Sequence, residues 1–162
     1  NKETANLIFS STFDAVTEAV DKAVGLSEEG YSGSVRSITP PENPQQEEYS
    51  INEYYENNTI HVYGTESYNN ETQTYTYNLT VALINYTSPE GILINGSATD
   101  NYIVIFSPLY YTAHLTGDFD VVYEGKNYDF SWDINFTFDG TNYTLTGGFH
   151  LDGEYYPAEF TE

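Results

Sequence analysis

The stretch YTAHLTGDFDVVYEGKNYDFSWDINFTFDGTNYTLTGGFHLDGEYYPAEF, residues 111–160, alternates apolar and polar side chains almost without interruption. Tyr111, Ala113, Leu115, Gly117, Phe119, Val121 and Tyr123 share one parity, while Thr112, His114, Thr116, Asp118, Asp120 and Val122 share the other. A period of two marks a strand with one face in a core and the other in water. Gly125-Lys126 can turn the chain, with glycine at the first central position. Tyr128, Phe130, Trp132, Ile134, Phe136 and Phe138 then carry the alternation back. Tight turns at Gly140-Thr141 and Asp152-Gly153 add two more strands, through Tyr143, Leu145, Gly147, Phe149 and Leu151 and then Tyr156, Ala158 and Phe160.

These turns predict a register. The first sets Phe119 opposite Trp132 and Val121 opposite Phe130. The second sets Trp132 opposite Phe149 and Phe136 opposite Leu145, and the third sets Phe149 opposite Tyr156 and Leu145 opposite Phe160. Apolar meets apolar on one face throughout, and a slip of one residue would reverse every side chain. The same register aligns Gly117, Ile134, Gly147 and Ala158. Glycine weakens a strand interior unless the sheet bends or something packs closely there. Either a bend or a trough that receives a helix is expected along that row.

Upstream, Tyr75, Tyr77, Leu79, Val81 and Leu83 alternate with Thr74, Thr76, Asn78 and Thr80. Ser88-Pro89-Glu90-Gly91 reads as a turn, 92–99 as a strand, and Asp100-Asn101 as a hairpin turn into 102–106. Residues 48–55 and 59–64 read as a short hairpin, for about nine strands in all. Only the first segment has a helical period. Phe9, Phe13, Val16, Val20 and Val24 share one face, widened by Ala15, Ala19 and Ala23. Ser11 followed by Asp14 is a capping-box variant, with a start near Thr4 as the alternative, and Gly25 is a candidate C-terminal cap. Gly30, Gly33, Pro40, Pro41 and Pro44 break up the chain between helix and sheet, leaving room for one short strand at 34–38. The expected architecture is a single mainly-β domain: helix in 1–26, connector in 27–47, meander in 48–162. The amphipathic helix packs on a curved antiparallel up-and-down sheet, a half-barrel or nearly closed barrel.

Composition limits function. Among 162 residues there are 25 Asp and Glu against 4 Lys and Arg, a formal net charge of -21, which argues against phosphate or anionic-lipid binding through a basic patch. The absence of Cys removes thiolate chemistry and disulfides. Aromatics at 17%, with 17 Tyr, set the chain apart from acidic disordered tails. The acidity also suits life in salty water, where charge preserves solubility. The longest apolar run, 102–106, is too short for a membrane-spanning helix. A lipid-facing outer-membrane barrel is disfavoured because the helix needs an apolar surface to cover. The start at Asn1 reads as a processed export product or as a chain cut for expression. Seven Asn-x-Ser/Thr triplets, at Asn57, Asn70, Asn78, Asn85, Asn95, Asn135 and Asn142, read as glycosylation acceptors or as chance in an Asn- and Thr-rich chain. Mid-strand positions favour chance.

Gly125-Lys126-Asn127-Tyr128 and Leu151-Asp152-Gly153, set among aromatic-x-hydrophobic-x-Gly repeats, resemble those of uncharacterised bacterial cell-envelope lipoproteins and secreted β-meander proteins. The resemblance implies a signal segment, a helix, a Thr/Gly/Tyr-rich meander, and a lipid-modified Cys ahead of the mature chain. It implies a secreted, periplasmic or cell-surface protein. The layout is also similar to half-barrel carriers that hold acyl chains under a helix.

Chemical motifs are scarce. His61, His114 and His150 are the only imidazoles, and a metal site built on them would need convergence from neighbouring strands. No nucleophile elbow, phosphate loop or His-Glu-x-x-His motif is present. Asp118, Asp120, Asp129 and Asp133 share the polar face, with Asp118 expected near Asp133 and Asp120 near Ser131. That arrangement offers calcium or paired general acid/base chemistry, but a solvated acidic face explains it better. Tyr31, Tyr49, Tyr54, Tyr55, Tyr68, Tyr110 and Tyr155 read as rim residues that cap the core or stack on a partner. The expected function is a non-enzymatic binding or surface-interaction module without cofactor or metal, taking an apolar small molecule or surface partner. Its ligand site is the concave face under the helix, at Phe9, Phe13, Phe119, Trp132 and Phe149. A purely structural or adhesive module with a solid core is the first alternative, and an acidic hydrolase acting on glycosides is the second.

Overall fold

The computed structural model describes residues 1–24, 47–69, 71–106 and 108–158. Helix α1 spans Lys2–Val24. Eight strands follow: β1 (Glu47–Glu56), β2 (Ile60–Asn69), β3 (Thr74–Thr87), β4 (Leu93–Phe106), β5 (Leu109–Tyr123), β6 (Lys126–Phe138), β7 (Tyr143–Leu151) and β8 (Glu154–Pro157). They form one antiparallel sheet in the order β1-β2-β3-β4-β5-β6-β7-β8, and the sheet does not close. The expected strand at 34–38, the cap at Gly25, the triplet at Asn70 and the pairing of Phe160 lie outside the described residues, as do the side chains of Val24, Tyr31, Tyr49 and Tyr54.

The helix starts close to the Thr4 alternative and not at the Ser11 signal. Asn1 Oδ1 accepts a hydrogen bond from Thr4 N at 2.8 Å, satisfying one of the free N–H groups of the first turn. Ser11 instead lies buried in mid-helix, and its hydroxyl donates to Glu90 Oε1 at 2.6 Å in the β3–β4 turn. Ala5, Ile8, Thr12, Val16, Ala19, Val20 and Ala23 form the inward stripe, at helical spacing. Phe9 and Phe13 flank it. With a rise of about 1.5 Å per residue the helix is about 35 Å long, enough to cross the sheet obliquely. Its first half lies over β6 and β7, where Phe9 meets Trp132 and Phe149. Its last turns reach β1, where Lys22 Nζ lies 3.2 Å from Glu56 Oε2.

Among the described residues the meander has eight strands, where the sequence predicted about nine, because Asp100-Asn101 is not a turn. β4 runs straight through it, with Asp100 opposite Leu79 on β3 and Leu115 on β5. Its parity continues the inward series Ile94, Ala98, Asp100 and Val104, and all four are buried. Pairing on both sides overrode the local turn chemistry of Asp-Asn.

A second correction concerns the β5–β6 hairpin. Its two-residue turn is Glu124-Gly125, with φ of 50° and 77°, so Tyr123 pairs with Lys126. Two positive φ values are what the favoured hairpin turn requires, and the twist they impose matches the strands. Asp152-Gly153 turns the same way, with φ of 49° and 83°. The register therefore moves by two residues from the one expected. Phe119 faces Phe130, Gly117 faces Trp132, and Asp118 faces Ser131 instead of Asp133. A two-residue move keeps every side chain on its own face, so the core is unchanged. The β6–β7 pairs Trp132–Phe149 and Phe136–Leu145, and the β7–β8 pair Phe149–Tyr156, stand as the turns dictate.

The observed register breaks the expected glycine row: Gly117 faces Trp132, while Ile134 faces Gly147. A Cβ on Gly117 would lie 2.9 Å from Trp132 and 2.6 Å from Phe119, so the space is taken by those side chains and not by the helix. The outward face carries mostly Thr, Asn, Ser and Asp, with Tyr63 and Ile103 exposed among them, where a membrane barrel would carry an apolar band. Of the Asn-x-Ser/Thr asparagines, Asn78, Asn95 and Asn135 lie within strands on that face, and Asn85 lies at the register shift within β3. No helix among the described residues is long and apolar enough to cross a membrane.

Candidate functional site beneath the helix

The five residues singled out in the sequence come together. Phe9 stacks on Phe149 with ring centroids 4.6 Å apart and planes inclined by 7°. Phe9 also stands edge-on to Trp132 at 6.0 Å, and Phe13 does so at 5.8 Å. Phe119 lies 5.1 Å from Trp132. Phe130 completes the group, 5.8 Å from Trp132 and 5.7 Å from Phe149. Its parity already placed it on this face, but the misplaced β5–β6 turn paired it with Val121. Such ring pairs contribute roughly 0.5–1.5 kcal/mol each beyond the burial of their area. The face under the helix is packed ring against ring in this region.

Open space begins at its edge. A groove of about 490 Å³ runs between the first half of α1 and the β7–β8 hairpin. Phe9, Phe149 and Tyr156 form its floor, Leu7 and Pro157 its sides, and Lys2, Glu3 and Asn6 its rim. Tyr156 stacks on Phe149 at 5.3 Å, so three rings, Phe9–Phe149–Tyr156, line up along the floor. Desolvation and a hydrogen bond to Glu154 push the Tyr156 hydroxyl above its ordinary value. The volume lies within the range of small-ligand pockets, about 300–1,000 Å³. A second pocket of about 110 Å³, between α1 and the β1–β2 hairpin, contains Glu18 and Glu56 with the Lys22 ammonium 3.6 and 3.2 Å from them.

The polar candidates do not converge. His114 Nε2 lies 2.7 Å from Asp133 Oδ1 on the outward face. His150 packs against Tyr155 at 5.1 Å, and His61 sits between Tyr55 at 4.2 Å and Tyr63 at 4.8 Å. Among the described residues no group of three His, Cys, Asp or Glu could hold a metal ion. Asp120 faces Asp129 in the register, and Asp129 N donates to Asp152 Oδ1 at 2.8 Å. Of the tyrosines assigned to the rim, Tyr55 and Tyr155 are exposed, whereas Tyr68 is 1% exposed and belongs to the core.

Asp100 was missed. Its side chain is only 6% exposed, and Oδ1 has no hydrogen-bond partner. Burial, reinforced by the Asp21 carboxylate on the helix, pushes its carboxyl to about 7. Burial and the Asp100 charge likewise push Tyr102 to about 12 and raise Tyr77. The signal was in the sequence, since Asp100 has the parity of Ile94 and Val104; reading Asp-Asn as a turn hid it. No protein-family model, no curated protein and no solved structure matches this chain.

Proposed function

We propose that the protein is a non-enzymatic binding module, exported or tethered to the cell envelope, that takes a small amphipathic ligand in the groove beside α1. The observation that carries this reading is the groove itself: three stacked rings on its floor, charged and amide groups on its rim, and a volume suited to a small molecule. A net charge of -21 disfavours anionic ligands, so a neutral or cationic head with a single apolar tail fits best.

Asn6 is exposed at the rim, and Asn6→Trp would fill the groove without cutting the core. Dodecyltrimethylammonium, titrated below its micelle concentration, is expected to shift the NMR signals of Phe149 and Tyr156. Asn6→Trp should weaken that binding at least ten-fold while leaving the circular dichroism unchanged, and laurate should bind more weakly. Native mass spectrometry of protein purified from its own host is expected to show mass above the bare chain. Bare chain mass together with no shift at Phe149 would overturn the reading.

The packing of Phe9, Phe13, Phe119, Trp132 and Phe149 favours a second reading, a structural or adhesive surface module with a solid interior. Support for an acidic hydrolase is weaker. That chemistry wants a carboxyl with a raised pKa at a cleft, and Asp100 is buried, with no pocket lined by it among those described.

A further inference from the structure

We propose that Asp100 and Asp21 form a proton-dependent latch: the second half of α1 is held on the sheet when the pair carries a proton and is loosened when both carboxyls are ionised. Asp100 is 94% buried by its 6% exposure, its Oδ1 is unpartnered, and its neighbours in register, Leu79 and Leu115, are apolar. An ionised carboxylate with one oxygen buried and unpaired among apolar neighbours is costly. The titratable groups around it are carboxyls of like sign and neutral tyrosine hydroxyls. From α1 comes Asp21, with Glu18 one turn earlier. From β3 and β4 come Tyr77 and Tyr102, their rings stacked at 4.8 Å, and from β2 comes the buried Glu66, opposite Tyr77. Lys22, the cation of this part of the helix, lies beside Glu18 and Glu56. The latch does not depend on the groove having a ligand.

Direction follows from linkage. The folded-state value of about 7 lies above the ordinary 3.8, so the docked helix holds the Asp100 proton more tightly than a loosened one. Docking is fully supported below about pH 4, weakens as pH rises through 7, and levels off above. Desolvation first, then Glu18, raises Asp21 as well, which acts in the same sense.

Hydrogen exchange along α1 tests this, read as protection factors so that the intrinsic pH dependence is removed. Protection of amides 16–23 is expected to fall on the order of a hundred-fold between pH 5 and 8, a two-unit consequence of the Asp100 titration. Amides 6–13, over the aromatic cluster, should change less. Asp100→Asn, which mimics the protonated form, should flatten the dependence to within about three-fold. In the unaltered protein the Asp100 carboxyl ¹³C shift should titrate near 7. A wild-type profile without pH dependence, the same slope in Asp100→Asn (general charge repulsion only), or a ¹³C midpoint near 4 would each overturn the latch. The ¹³C titration decides the matter even if the variant fails to fold.

Discussion

Phe149→Ala is expected to lower the free energy of unfolding by about 3–5 kcal/mol, the range for deleting a fully packed aromatic ring. Phe149 is 1% exposed and lies at the centre of a ring assembly, stacked on Phe9 from the helix and on Tyr156 from β8, and edge-on to Phe130 from β6. Its removal unseats the helix and the last hairpin together, because no other described ring touches both Phe9 and Tyr156. Phe149→Leu keeps much of the volume but none of the stacking, and a loss of about 1–2 kcal/mol is expected. Urea unfolding followed by circular dichroism measures both. A loss below about 1 kcal/mol for the alanine variant would mean that the helix is not seated on this ring.

Gly147→Ala is expected to be nearly as damaging, for a different reason. Gly147 has φ of 95°, a conformation that costs a residue with a Cβ about 1–3 kcal/mol. A Cβ there would also overlap the backbone carbonyl oxygen of Asp133, the neighbour of its β6 partner Ile134. The backbone cannot yield without parting β6 from β7, so a total of about 3–4 kcal/mol is expected. Gly125→Ala supplies the comparison. It has φ of 77° and nothing within 4 Å of an added Cβ, so it should lose only about 1 kcal/mol. Equal losses at the two positions, in urea unfolding, would refute the clash.

The sheet was legible because parity is hard to disguise. Every inward residue named from Tyr111 to Leu151 stayed on its face, even where the pairing moved by two places, because an even shift preserves the pleat. The position of a turn is less legible, since Glu124-Gly125 and Gly125-Lys126 differ only in which residue adopts a positive φ, and glutamate rarely does. Asn1 as the helix cap was hidden for a similar reason: Ser11-x-x-Asp14 is a better local signal, but the apolar stripe starts at Ala5. Asp100 escaped because an aspartate in an apolar strand looks like an interruption, and only pairing with Leu79 and Leu115 shows it to be enclosed. The five aromatic residues were legible as a cluster. That their rings would fill the space between them, leaving the opening at Tyr156 and Pro157, depends on side-chain angles that periodicity does not contain.

The seating of α1 on the aromatic face is tested most directly by nuclear Overhauser contacts between ring protons in the protein at pH 5. Phe9 should show contacts to Phe149, and Phe13 to the indole of Trp132, the only tryptophan in the chain, at the 4.6 and 5.8 Å separations of their ring centres. Absence of both, with amides 6–13 exchanging as fast as an unstructured peptide, would contradict the helix-covered sheet from which the groove and the latch are built.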